Sequence, residues 1–210
     1  MAITFPYDLL AGFPGWQTDF KIYRRQELSR TASGKTIVKD IGDPLWMATY
    51  TSKAMKPNDL DRWRARLEVL DGGLQTFRGY VLSRCYPIMH PRGDWGTGVT
   101  WNGICAIQAI ATNRKELSLK NVPVGFRLRQ GDVMMIGQGR IHRVQNTINT
   151  TTTSTALIEV RPHLRPDIAI DDVVTFVKPW CTMNIDVDGL DAEADLSGLG
   201  AISFTATEAI

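Results

Sequence analysis

One segment of this chain repeats its apolar residues with the period of an α-helix. Four apolar side chains fall at positions i, i+3, i+7 and i+10, namely Leu60, Trp63, Leu67 and Leu70. Residues with that spacing share one face of a helix and form a stripe that must be buried. Pro57 stands in the first turn, where a missing N–H costs nothing, and the two glycines at 72–73 end the segment. The pattern predicts a helix at about residues 57–71 that packs against the strands on either side of it.

The segments around this helix have the composition and alternation of β-strands. Strands are predicted at 19–30 and 35–42, joined by a small polar turn at 31–34 that contains Gly34. Pro44 separates them from a third strand at 45–55, which is rich in Trp, Thr and Tyr. A further strand at 74–84 follows the helix and contains Phe77 and Tyr80.

The second half of the chain begins with a turn-rich stretch at 89–100 and continues as short β-segments. These are predicted at Ile104–Ile110 and at 116–119, 132–136, 140–148 and 156–161. Short strands at such regular spacing are typical of a small barrel or sandwich. Two later strands, at 173–177 and 181–187, are expected to return to the N-terminal sheet, and the chain after Gly189 is polar and loosely patterned.

Composition and charge narrow the class of protein. The 210 residues are 43% hydrophobic and 22% charged, with a formal net charge of +2. The chain has three cysteines, an odd number, and none of them has CxxC spacing; they are Cys85, Cys105 and Cys181. This pattern favours buried thiols in a reducing compartment. We expect no signal peptide, because prolines interrupt the apolar N-terminus, and no membrane anchor, because the longest uncharged run, 95–113, is too polar.

The charges are unevenly distributed. No Lys or Arg follows Lys178, whereas six acidic residues do, namely Asp186, Asp188, Asp191, Glu193, Asp195 and Glu208. A basic body and an acidic end can attract each other, within one chain or between neighbours. We therefore expect residues 188–210 to form an acidic C-terminal tail that docks on a neighbouring subunit or adjoining protein, held mainly by Ile202, Phe204 and Ile210.

No group of residues has the spacing of a catalytic or metal site. His90, His142 and His163 lack a nearby Cys or carboxylate at ligand or triad spacing, and His142 is expected to face solvent or form a hydrogen bond within a strand. The glycine-rich 93–98 stretch lacks the Lys-Ser/Thr of a P-loop. The acidic 186–191 stretch lacks the Gly and Glu positions of a calcium loop and is interpreted as a linker. We expect no catalytic, cofactor-binding or metal-binding residues, hence no enzyme and no cofactor.

Basic residues interleave with tryptophan in the helix, at Arg62, Arg64 and Arg66. Because they alternate with the apolar stripe, they are interpreted as the solvated face of the helix, and we expect no sequence-specific binding of nucleic acid.

Several motifs in order along residues 15–185 resemble the distal-tail type of minor tail protein of long-tailed bacteriophages. The first are Pro44-Leu45-Trp46 at a strand start, Asp59-Leu60-Asp61 and Trp63-Arg64-Ala65 on the helix, and Phe77 with Tyr80 on the returning strand. The later ones are Leu128-Arg129-Gln130-Gly131-Asp132-Val133, Gly139-Arg140-Ile141-His142-Arg143-Val144, Val160-Arg161-Pro162-His163-Leu164-Arg165 and Pro179-Trp180-Cys181-Thr182-Met183.

This resemblance implies a structural virion protein, assembled in the host cytoplasm, that forms a homohexameric ring joining the tail tube to the hub or tip. It implies a mainly β fold with one α-helix and three parts. Residues 1–90 with 173–187 would form a tube-like β-sandwich or split-barrel domain that makes the ring, 91–172 a small inserted β-barrel domain, and 188–210 the acidic tail. The expected partners are the chain itself, the tail tube protein and the hub or tip proteins.

Two other functions stay open at this point. A virion-associated cell-wall hydrolase would need a carboxylate pair, a Cys/His pair or a metal cluster in one cleft. A soluble β-rich binding module without an assembly role would be a stable monomer at high concentration.

Overall fold

The computed structural model describes residues 3–95 and 100–209. Within that part of the chain there is one α-helix, α1 (Pro57–Glu68). The thirteen strands are β1 (Gly15–Arg30), β2 (Thr36–Ser52), β3 (Phe77–Gly79), β4 (Ile104–Ile110), β5 (Glu116–Lys120), β6 (Arg127–Leu128), β7 (Val133–Ile136), β8 (Arg140–Val144), β9 (Ile148–Asn149), β10 (Ile158–Arg161), β11 (Val173–Thr175), β12 (Cys181–Asp191) and β13 (Ser203–Glu208). The prediction of a mainly β protein with one helix is confirmed.

The predicted apolar stripe of the helix is buried. All four of its residues are inaccessible or nearly so, namely Leu60, Trp63, Leu67 and Leu70. Phe13 lies between the helix and the sheet, with its ring centroid 5.1 Å from that of Trp63 and 5.8 Å from that of Phe204. The helix ends at Glu68, three residues before the predicted end, and the next residues form a short 3-10 turn in which Gly72 has φ 66°.

β1 and β2 form one long antiparallel hairpin. The predicted break at Pro44 is wrong, because β2 continues through it from Thr36 to Ser52. The register explains why this proline is tolerated: Tyr23 pairs with Leu45 and Arg25 with Gly42, so Pro44 falls in a bulge. Proline removes a donor, and a bulge is where a strand can omit a ladder hydrogen bond.

The hairpin belongs to a five-stranded sheet of order β1-β2-β13-β12-β3. The expected C-terminal tail that docks on a neighbouring protein is wrong, because β13 lies between β2 and β12 of its own chain and pairs with both. Ile202, Phe204 and Ala206 alternate with polar residues and are fully buried. This two-residue period is that of a strand with one buried face. Ile210, the third apolar residue of that prediction, lies outside the described residues, and the strand predicted at 74–84 is limited to Phe77–Gly79.

The chain divides into two compact units, Met1–Phe77 with Met183–Ile210 and Arg78–Thr182. The observed boundaries fall after residues 77 and 182, whereas the boundaries predicted from the sequence fall after residues 90 and 172. The second unit contains a closed barrel of order β10-β5-β4-β11-β7-β8 and a separate β6-β9 pair.

The small barrel and its five predicted strands are confirmed, with the 140–148 segment split into β8 and β9. The return of 173–177 to the N-terminal sheet is wrong. β11 pairs with β4 on one side and β7 on the other, and a barrel closes only when every strand has two neighbours. Phe126 and Phe176 belong to the hydrophobic core of this unit, with ring centroids 5.1 Å apart.

No helix in the described parts of the chain combines the length and apolar character needed to cross a bilayer.

Candidate assembly interface

Two of the three histidines are structural. His142 is buried on β8, and its Nδ1 donates to the carbonyl oxygen of Pro162 at 2.9 Å, so it fulfils the hydrogen-bonded alternative. Burial lowers the pKa of His142 to about 4, and the positive charge of Arg165 and Arg140 acts in the same direction. The imidazole is therefore neutral at pH 7 and serves to hold the backbone at Pro162.

His90 is also buried, and backbone groups occupy both of its ring nitrogens. Nδ1 donates to the carbonyl oxygen of Asp94 at 2.9 Å, and Nε2 accepts the backbone N–H of Arg127 at 2.9 Å. Its ring stacks on Phe126 with an interplanar angle of 12°. Neither nitrogen is left to act as a base or to bind a metal. His163 is half-buried.

The three cysteines form no disulfide. Cys105 and Cys181 are buried and Cys85 is half-buried. Burial raises the pKa of the Cys105 thiol to about 12, so it stays protonated and unreactive. Across residues 3–95 and 100–209, no cluster of three His, Cys, Asp or Glu side chains could hold a metal ion.

The two loop motifs have different outcomes. Residues 96–98 of the glycine-rich stretch lie outside the described residues. The interpretation of 186–191 as a linker is wrong, because these residues belong to β12. Ile185 pairs with Ala206 and Leu190 with Phe204, so the intervening residues bulge out of the strand. Asp186 Oδ1 accepts a hydrogen bond from Thr207 Oγ1 at 2.9 Å, which ties the bulge to β13.

The helix arginines bond to their own chain. Arg62 and Arg64 lie 3.7 and 3.1 Å from carboxylates one turn earlier, those of Asp59 and Asp61. Arg66 was expected in the solvated face but is structural: its guanidinium stacks 4.2 Å above the Trp63 ring and donates to the carbonyl oxygen of Ala11 at 3.0 Å.

The sequence did not single out Asp132 as a buried carboxylate. Its two oxygens accept backbone N–H bonds from Ile88 and Arg129, each at 2.7 Å. Burial raises its pKa, while the two hydrogen bonds lower it. Both acceptor oxygens are thus used to fasten one loop of the barrel unit to another. A Gly-Asp pair before a strand was the available signal, and it indicates a turn as readily as a site.

An open groove of about 470 Å³ lies at the start of α1. Lys53, Lys56 and Arg62 line it, together with Asp59, and all four are exposed. A small-molecule site is typically concave and orients its ligand with a few sheltered polar groups. Those four side chains are exposed to solvent, so none of them is the sheltered polar group that such a site needs.

The most unusual surface is the distal part of the hairpin, residues 23–45, which we call the ribbon. β13 pairs with β2 only from Met47 to Thr51, so the ribbon extends past the strand that covers the rest of β2. Every residue from Tyr23 to Ile41 is exposed. Leu28 and Val38 lie directly opposite each other and are 70% and 54% exposed. Ile37 and Ile41 are also exposed, on the same strand.

Polar contacts stabilise the ribbon internally. Gln26 donates to Asp40 Oδ1 at 2.6 Å across the strands, and Glu27 lies opposite Lys39. The turn is closed by Thr31, whose backbone N–H bonds to the carbonyl oxygen of Lys35 at 2.9 Å. A two-stranded hairpin is only marginally stable in water. A ribbon of this length with exposed apolar side chains is typical of a surface that becomes covered by another protein.

No protein-family model matches this sequence, and no curated protein is similar to it. Function is therefore inferred from the geometry of the chain and the resemblance of its motifs.

Proposed function

We propose that this protein is a structural ring component of a phage tail or related tail-like particle. The five-stranded sheet with its ribbon would form a tube-like ring of six copies, at the distal end of the tail. Its neighbours would be the tail tube protein on one side and the hub or tip proteins on the other. The protein would have no catalytic role and would be part of the virion.

The ribbon is the observation that carries this proposal. Its exposed apolar pair, Leu28 and Val38, has no cover from its own chain, and β1 is an edge strand along its whole length. Open edges and apolar faces promote association unless something covers them. A closed ring covers every copy's ribbon by the same contact and leaves no exposed end.

The resemblance and the architecture support the same function. The sheet is flanked by one helix, and a barrel unit is inserted between β3 and β12, which matches the element order implied by distal-tail proteins. His90 and His142 hold backbone groups and Cys105 is unreactive, which supports an assembly role over a hydrolase built on a Cys/His pair.

The test is self-association of the purified full-length chain. Analytical ultracentrifugation and negative-stain electron microscopy should show closed rings whose population rises with protein concentration. A ribbon variant with Leu28→Ser and Val38→Ser should shift the distribution to monomers while keeping the circular dichroism spectrum of the wild type. A control variant, Leu157→Ser with Val173→Ser, changes two similarly exposed residues of the barrel unit and should assemble normally.

A wild-type chain that stays monomeric to its solubility limit would overturn the proposal and favour the binding module. Rings that form equally well from the ribbon variant would overturn the role of the ribbon.

A further inference from the structure

We propose that the ribbon of one copy docks on the acidic bulge of β12 in the next copy, head to tail. This inference rests on the proposed ring and specifies which two surfaces meet in it. We define the acidic segment as residues 186–195, which contain five acidic residues and no basic one, namely Asp186, Asp188, Asp191, Glu193 and Asp195.

The acidic segment has the properties of a docking surface. Asp188, Asp191 and Glu193 are exposed and take part in no ion pair within the described residues. Apolar side chains lie among them: Val187 is 85% exposed, and Leu190 is also exposed. The guanidinium of Arg64 contacts the segment through the carbonyl oxygen of Ala192. The exposed carboxylates of the segment repel one another, so a further basic partner would lower their energy.

The ribbon has the complementary character. Arg24, Arg30 and Lys35 are exposed, and they too take part in no ion pair within the described residues. Two carboxylates of the ribbon have polar neighbours within it: Asp40 accepts a hydrogen bond from Gln26, and Glu27 lies opposite Lys39. The ribbon thus presents cations together with the apolar pair of Leu28 and Val38.

The strand order places the two surfaces on different strands of one sheet. β13 separates β2, which carries half of the ribbon, from β12, which carries the bulge. A contact between two different surfaces of identical copies is heterologous, and such contacts close into rings or continue as filaments. The closed ring of the proposed function is one of these two outcomes.

The bulge indicates how the surfaces meet. Gly189 allows the tight bulge, because a Cβ there would lie 2.0 Å from Thr205 Oγ1. Bulges disturb the regular ladder and discourage strand addition at a sheet edge. The docking is therefore made by side chains: apolar contacts supply most of the attraction, and the charges select the partner and its orientation.

Charge reversal in solution tests this pairing. The first variant carries Arg30→Glu and Lys35→Glu on the ribbon, and the second carries Asp188→Lys and Asp191→Lys on the bulge. Each alone should associate about tenfold or more weakly than wild type, because like charges then face each other. A one-to-one mixture should restore association, since each reversed surface then meets its complement on the other variant.

The matched control is Lys115→Glu with Arg127→Glu, two exposed cations of the barrel unit with the same change in net charge. It should sediment like the wild type. Raising the salt concentration should weaken the wild-type assembly, because screening shortens the reach of exposed charges.

Two results would overturn this inference and leave the proposed function standing. In the first, both charge-reversed variants assemble as well as the wild type. In the second, the variants are folded and assemble poorly, but mixing them does not restore assembly. A wild type that never assembles would overturn the proposed function as well. The three outcomes are distinguished by the same sedimentation experiment.

Discussion

The ring of Phe204 lies against that of Tyr50, with centroids 5.2 Å apart and planes inclined by 33°. One residue comes from the last strand of the chain and the other from the second, and they pair directly in register. This contact makes the C-terminal segment part of the core of the first unit. Ile202 and Phe204, which were expected to bind a neighbour, are therefore used within the chain, whereas two of the three acidic residues of β12 stay exposed beside Val187 and Leu190.

Replacing Phe204 by Ala should destabilise the first unit by about 3–5 kcal/mol, because a fully buried aromatic ring leaves a cavity. Urea unfolding followed by circular dichroism measures the loss. Leu196→Ala is the control, since Leu196 is fully exposed and should change stability by less than about 0.5 kcal/mol. Equal effects of the two substitutions would contradict the central position of β13.

Trp63→Ala should cost about 3–5 kcal/mol, since the ring is buried between Phe13 and the Arg66 guanidinium. Thermal unfolding of the full chain reports the change. Arg62→Ala alters an exposed residue of the same helix and removes only a surface ion pair, so it should be nearly neutral. A stable Trp63→Ala protein would show that the helix does not anchor the sheet.

Gly189→Ala should destabilise the protein by about 1–3 kcal/mol, because the new Cβ would overlap Thr205 Oγ1. Adding Thr205→Ala should recover part of that loss, which a double-mutant cycle would show as a coupling energy. Gly42→Ala is the control, as its Cβ meets only the flexible end of Arg25. Additive effects of the two substitutions at 189 and 205 would argue against the close contact.

The stability of the barrel unit should fall as the pH drops from about 6.5 to about 4. His142 stays neutral in the folded protein down to its lowered pKa of about 4, whereas in the unfolded chain it gains a proton near pH 6.5. The unfolded state binds more protons in this window, so acidification favours it, by about 3 kcal/mol in total.

His142→Gln keeps a side-chain donor and removes the titration, so its stability should depend less on pH across this window. Urea unfolding at several pH values for both proteins gives the comparison, in which the carboxylates common to both cancel. Parallel pH profiles would show that His142 is not held neutral.

The helix and the short barrel strands could be predicted because their patterns are local in the sequence. The apolar stripe from Leu60 to Leu70 repeats at helical spacing. Each short barrel strand is a β-type segment bounded by turn residues. The helix and these strands could therefore be recognised without knowledge of their partners. The turn at 31–34 could also be predicted, because it is short and polar and contains a glycine. In the structure Gly34 adopts φ 83°, a conformation in which other residues would be strained.

The pairings between distant segments could not be predicted in this way and are known only from the folded chain. Val173–Thr175 is a three-residue strand, and nothing in its composition distinguishes a place in the barrel from one in the sheet. β13 was obscured by the acidic stretch before it, and its place between β2 and β12 depends on contacts across some 150 residues of sequence. His142 and Asp132 likewise owe their burial to strands and loops that converge in space. Strand order and burial arise from such long-range contacts, which the local alternation of residues does not encode.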